Sequence, residues 1–222
     1  MSVLTRFVVL VLTAHALGDE EAHIVRPCPN FDVDCVRHYF LSSGLCASPA
    51  GRVPDPLRDP LKYVYLPNVN GSAIMEDMLV TGMNGDIVEF YINKKKDRAV
   101  LAFRIKEFDV ESKSAHITYL PAAREPITAA TTVTEKNGTV LFTVVFEGTR
   151  PLNPRHNFTY ARIEVLPILT TGPEPWLSKA MYSGIFANPE TTYREGYLTA
   201  APHYSNIFIH YTLCDFGVHH KY

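Results

Sequence analysis

No apolar run among the 222 residues approaches the ~20 that a membrane-spanning helix requires. Tryptophan occurs once and cysteine only four times, so the chain is not a miniature scaffold built from disulfides. Charge of either sign is scarce in net terms: 23 acidic against 21 basic residues give −2. That balance provides no general attraction to nucleic acid or to an anionic membrane. Motifs of catalysis are missing too. There is no Gly-x-Ser-x-Gly elbow, no phosphate-cradling glycine loop and no His-Glu-x-x-His. Cys-x-x-Cys and His-x-x-x-His spacings are also lacking, which argues against a metal site. The sequence therefore predicts a non-enzymatic protein with no cofactor, no metal and no catalytic residue.

What is present is a 46% apolar composition with 12 Phe and 12 Tyr, enough for a sizeable core and rich in residues that favour strands. The first residues set the compartment. Arg6 precedes the apolar run 7–12, and the small-x-small steps Ala14-His15-Ala16 and Ala16-Leu17-Gly18 follow. This is the layout of a secretory signal peptide. We expect residues 1–18 to be removed after Ala16 or Gly18, leaving one domain over 19–222. Secretion makes Cys28, Cys35, Cys46 and Cys214 candidates for pairing, with three connectivities open. The short spacing favours Cys28–Cys35, and Cys46–Cys214 then follows by elimination. His219-His220, at the chain end, reads as a solvated tail.

Residues 34–43 read as a short helix, with Asp34 as its cap, rather than one of a carboxylate pair with Asp32, and Gly44 as its stop. Residues 47–67 carry five prolines and must be extended or looped. Strands follow: residues 78–81 and 86–93 about an Asn84-Gly85 hairpin, then the Lys94-Lys95-Lys96-Asp97 turn. A long strand over 98–110 changes its apolar phase at Lys106-Glu107, which predicts a bulge or bend. Further strands are expected over 115–120, 127–135, 139–147 and 158–166, with a second hairpin at Asn137-Gly138. In 139–147, Val140, Phe142, Val144 and Phe146 fill one face while Leu141 and Val145 lie on the other. A strand apolar on both faces predicts cover on both sides. The covering helix is expected over 174–186, from Trp176, Leu177 and Met181, ending before Pro189. Residues 204–214 read as a closing strand. The fold class is then α+β, a curved antiparallel sheet wrapped around a helix. Phe103, Phe142, Val144, Phe146, Trp176, Leu177 and Met181 are the residues that would line its core or a ligand cavity.

Three Asn-x-Ser/Thr sequons stand at Asn70, Asn137 and Asn157. Asn-Gly turns would put the first two on the surface, so glycans are expected at Asn70 and Asn137, and less readily at Asn157.

Arg26-Pro27-Cys28, six residues to Cys35, a short helix and then Cys46 resemble the start of the fibrohexamerin family, glycoproteins of insect silk fibroin complexes. The sequon at Asn70, the runs Met78-Leu79-Val80-Thr81 and Val88-Glu89-Phe90-Tyr91, residues 98–103, Asn137-Gly138-Thr139 with 141–146, and Trp176-Leu177-Ser178 extend the resemblance to about residue 180. The Cys28-to-Cys35 start is also similar to the wider takeout and juvenile-hormone-binding superfamily, whose curved sheet wraps one long helix. Two departures stand out: the family's additional cysteines between Cys46 and Cys214 are missing, and the helix expected here is only about three turns long. The resemblance implies a secreted glycoprotein of the silk gland lumen that holds fibroin heavy and light chains soluble without covalent attachment, in a chaperone-like manner, and that can self-associate. The alternative it implies is a carrier of a small lipophilic ligand, a juvenile-hormone-like terpenoid or a fatty acid.

Overall fold

Apolar side chains alternate with polar ones through much of the middle of the chain, and this two-residue period builds ten strands among the described residues. The computed structural model describes residues 23–122, 124–154, 157–172, 184 and 187–217. The elements are β1 (Ile24–Val25), α1 (Val33–Ser43), β2 (Leu57–Leu66), a 3₁₀ turn (Pro67–Val69), β3 (Gly71–Thr81), β4 (Asp86–Asn93), β5 (Arg98–Ile105), β6 (Phe108–Tyr119), β7 (Ile127–Asn137), β8 (Val140–Glu147), β9 (Asn157–Ile163), β10 (Ile168–Thr171) and α2 (Pro189–Thr212). They form two five-stranded antiparallel sheets, ordered β1-β4-β5-β8-β9 and β10-β7-β6-β3-β2.

The two sheets share long, bent strand tracks. Ile105 faces Val140 in the first sheet and Phe108 faces Asn137 in the second, so one antiparallel register continues across the break at 106–107. Arg104 facing Asp86 and Asp109 facing Thr81 show the same continuity. The phase change at Lys106-Glu107 is therefore a bend that carries the chain from one sheet to the other. Neither Asn84-Gly85 nor Asn137-Gly138 forms a hairpin: β3 and β4 lie in different sheets, as do β7 and β8. At the first step the Asn84 side chain bonds to the backbone of Val53, accepting from its N–H at 3.1 Å and donating to its carbonyl at 3.0 Å. Gly82 has φ of +79°, and a Cβ there would stand 2.5 Å from the Glu107 carbonyl. Glycine is thus required where two bends lie against each other. The turn at 94–97 does close a hairpin, with Asn93 facing Arg98.

Proline does not exclude residues 57–66 from a sheet. Pro60 lies inside β2, an edge strand, where its missing N–H costs no ladder bond. Asp32 rather than Asp34 caps α1: its Oδ2 accepts from the Cys35 N–H at 2.9 Å, while Asp34 pairs with Arg37. Gly44 is the C-cap. Strand β8 buries Val140, Phe142, Val144 and Phe146 completely. Leu141 and Val145 are only half-buried, shielded by cross-strand neighbours such as Phe158 and not by a second layer among the described residues.

A helix other than the one expected over 174–186 packs inside the curve. Residues 173–183 and 185–186, with Trp176, Leu177 and Met181, lie outside the described residues. The helix is α2, 24 residues and ~36 Å long. Pro189 opens it at the first position, a use of proline in which the lost N–H would be unpaired anyway. Residues 204–212 are helical, not a closing strand. Tyr197, Ala201, Tyr204, Phe208 and Thr212 repeat every three or four residues and are buried. Pro202 falls on the exposed side.

Helix α2 packs on the edge strands β9 and β2, one from each sheet. Its Phe208 ring stacks on Phe103 at 4.1 Å between centroids, and Phe103 stacks in turn on Phe142 at 5.2 Å. Phe40 of α1 meets Phe90 and Phe146 on the same sheet. Phe208→Ala is expected to lower stability by about 3–5 kcal/mol, because the ring's partners on two strands cannot close the cavity it leaves. A shift of the urea midpoint at constant m-value would show it; a loss under 1 kcal/mol would mean the stack is dispensable.

Candidate functional site

Sequence alternation places Lys62, Val64 and Leu66 on the inner face of β2, and Val133, Glu135 and Asn137 on the inner face of β7. Both inner faces look across at the N-terminal half of α2. Between them lies a cavity of about 100 Å³. Its walls are mainly apolar, including Val64, Ala73, Met75, Ile117, Val133 and Leu169, with Tyr193, Tyr197 and Ala200 from the helix. Val64, Leu66, Leu169 and Tyr193 are only half-buried, so the cavity approaches the surface there.

One wall is polar. Lys62 Nζ lies 3.3 Å from Glu135 Oε2, with side chains 3% and 13% exposed. The same ammonium donates to the Tyr204 hydroxyl and sits 4.9 Å from the centroid of that ring. Burial works against the ammonium charge, but Glu135 and Tyr204 outweigh it, and the net direction of the Lys62 pKa is upward. Tyr204 is pushed up to about 12, chiefly by burial and against the pull of Lys62. Tyr197 is also shifted upward, by burial first and by Glu135 next. Behind Tyr204, His203 Nε2 meets Asp59 Oδ2 in a second buried pair.

The two tyrosines give a pH dependence of known sign. A group whose folded pKa is raised stabilises the fold below its unfolded value and loses that contribution as pH climbs through the folded one. Stability should therefore hold up to about pH 10 and fall between 10 and 12, together with phenolate absorbance. Phenolate absorbance rising fully near pH 10 while the fold persists would contradict the burial of Tyr197 and Tyr204.

Four of the residues expected to line the core or a ligand cavity belong to the core and not to this cavity. Phe103, Phe142, Val144 and Phe146 are fully buried and belong to the filled core against α1 and α2. The residues that do form the polar wall escaped sequence reasoning. Residues 47–67 read only as extended or looped, with no face assigned; in the structure Lys62 is buried while Tyr63 and Tyr65 are exposed. The shared phase of Lys62 with Val64 and Leu66 was the available signal.

Cys28 is bonded to Cys35 and Cys46 to Cys214. The sequons divide. Asn70 is exposed at the left-handed C-cap of the 3₁₀ turn. Asn157 is half-buried, and its Nδ2 donates to the Pro154 carbonyl at 2.9 Å. Asn137 is buried at 4% exposure, contrary to the surface turn expected for it. Its Oδ1 accepts from the Tyr197 hydroxyl, and its Nδ2 is enclosed. A sugar on that nitrogen has no room in this fold. Glycopeptide mapping of secreted protein is expected to find Asn70 occupied and Asn137 bare; occupied Asn137 would show that the region around Tyr197 packs differently. Lys94, Lys95 and Lys96 are exposed at the β4–β5 turn. Residues 1–18, expected to be a leader, and His219-His220 lie outside the described residues.

This geometry defines an α+β protein whose bent double sheet wraps one long helix. The same architecture is seen in the crystal structure of Takeout 1 from Epiphyas postvittana, with a TM-score of 0.51 over 78% of this chain and 89% of that one, at 13% identity. The Fibroin P25 family model matches residues 24–218, and the chain belongs to that family. Fibrohexamerin of Galleria mellonella is 26% identical over 217 residues, 96% of this chain and 98% of that protein. No helix among the described residues is long and apolar enough to cross a membrane.

Proposed function

We propose that the chain is a secreted, non-enzymatic glycoprotein of the silk fibroin complex, released from its leader 1–18 and working as one domain over 19–222. It associates noncovalently with fibroin heavy and light chains and keeps them soluble for secretion. Family membership across residues 24–218 is the observation that carries this reading. The surface is consistent with it. Phe158 and Tyr160 stand exposed on β9, and Tyr63 and Ile74 face each other on the outer side of β2 and β3. Aromatic residues held on a rigid sheet can cover apolar stretches of a partner at low entropic cost. A glycan at Asn70 would add hydration. Native purification from gland extract tests the proposal. Fibroin chains should travel with the protein and separate from it in denaturant without a reducing agent. A protein that elutes without fibroin chains would overturn it.

A second reading is favoured by the cavity beside α2: carriage of a small lipophilic ligand. The long helix restores the element that such a carrier needs. The volume, about 100 Å³, lies below the roughly 300–1,000 Å³ of sites for drug-sized ligands. A long fatty acyl chain or extended terpenoid therefore does not fit without rearrangement, and the ligand would be compact.

A further inference from the structure

We infer that the cavity between α2 and the inner faces of β2, β3, β6 and β7 selects a compact, neutral, apolar molecule carrying one hydrogen-bond acceptor oxygen, such as a ketone or ester, and rejects a carboxylate. This inference rests on the carrier reading and gives it a ligand class.

A buried lysine at the end of an apolar cavity would ordinarily mark a site for a carboxylate head group. Here the charge is already answered. Glu135 Oε2 lies 3.3 Å from Lys62 Nζ, so the polar wall carries one positive and one negative charge. A ligand carboxylate would add a second negative charge beside Glu135, with Asp59 and His203 paired just behind Tyr204. Like charges brought together in a desolvated site repel strongly, and the anion would also lose its hydration.

Hydrogen-bonding capacity nevertheless remains. An ammonium has three donors, and among the described residues Lys62 Nζ meets only Glu135 and Tyr204. The Tyr204 hydroxyl accepts from Lys62, which leaves its own O–H as a donor, and its oxygen makes no further hydrogen bond among the described residues. Two donors thus stand at the polar wall with no acceptor, and Lys62, Tyr204 and Glu135 all line the cavity. The remaining wall is mainly apolar, its other polar side chains being Ser72, Thr192, Tyr193 and Tyr197, the last of which donates to Asn137. A lone acceptor oxygen satisfies the donors without adding charge. An alkane leaves them unpaired.

Three probes of similar size test this on the purified secreted protein at neutral pH: acetophenone, benzoate and ethylbenzene, measured by calorimetry. Acetophenone is expected to bind at least about tenfold tighter than either of the others, the worth of one charge-assisted hydrogen bond. Tyr204→Phe should reduce acetophenone affinity and leave ethylbenzene unchanged. Glu135→Gln should raise benzoate affinity, because it removes the competing negative charge. Benzoate binding to the unaltered protein as tightly as acetophenone would overturn the inference. So would equal binding of acetophenone and ethylbenzene. In both cases the carrier reading would stand. Failure of all three probes to bind would remove the carrier reading and the inference with it. The probe series on the unaltered protein decides the matter even where a substitution prevents folding.

Discussion

Lys62→Ala is expected to cost about 3–5 kcal/mol of stability, far more than an ordinary surface lysine. Lys62 is 3% exposed and its partner Glu135 only 13%, so truncating the lysine strands a carboxylate in an apolar enclosure. It also removes the ammonium that lies 4.9 Å from the centroid of the Tyr204 ring. The effect belongs to the broken pair and not to the lysine alone. Replacing both partners together, as K62M with E135L, should recover most of the loss, since exchanging a buried ion pair for packed apolar groups is often neutral or better. Urea unfolding of K62M, E135L and the double variant forms the cycle that isolates the coupling. If Lys62→Ala costs under 1 kcal/mol, the pair is effectively hydrated and the cavity wall is wetter than the geometry implies.

Removing the Cys46–Cys214 bridge is expected to have an effect of similar size. The bond closes a loop with a sequence separation of 168. On the chain-entropy model, loops of this order stabilise by roughly 4–5 kcal/mol, because the cross-link removes conformations from the unfolded chain. The bridge also ties the end of α2 to the segment after α1, where Ala47 and Asp215 exchange backbone hydrogen bonds at 2.8 and 3.1 Å. Paired replacement by alanine avoids leaving a free thiol. The comparison is with paired replacement of Cys28 and Cys35, whose separation is only 7. The long bridge should matter more by about 2–3 kcal/mol if unfolded-state entropy dominates. Equal losses would show that local packing around the sulfurs decides the cost.

The two predictions draw on different kinds of information. The cysteine pairing could be read from spacing, because the short Cys28–Cys35 loop leaves one partner for Cys214. The Lys62–Glu135 pair could not. Each residue sits in a strand whose alternation is legible, but no local rule says which face of a strand turns inward. In β2 the prolines spoke only for an extended or looped segment and left its faces unassigned. The two Asn-Gly steps misled for a related reason: that dipeptide permits a tight turn but does not require one. At Asn84 the side chain found the Val53 backbone instead, and the chain continued into the other sheet. Helix α2 was the largest error of reading. Ile207, Phe208 and Ile209 are all buried, so the segment shows alternation with its neighbours and little one-sided pattern, and Pro202 breaks its helical signature.

By itself the sequence determined the α+β class, the strand-rich middle of the chain, the bend at Lys106-Glu107, the short first helix and the family likeness. These follow from local alternation, turn residues and cysteine order, which act over a few residues and leave their mark there. Tertiary structure alone decided which helix fills the curve, which strand faces turn inward, and that Asn137 is buried beneath Tyr197. Each of those depends on contacts between segments distant in sequence: Phe208 with Phe103, Lys62 with Glu135 and Tyr204, Asn137 with Tyr197. Burial of a charge or an amide is favourable only when its partner arrives from elsewhere in the chain, so the fold has to form before such a site exists.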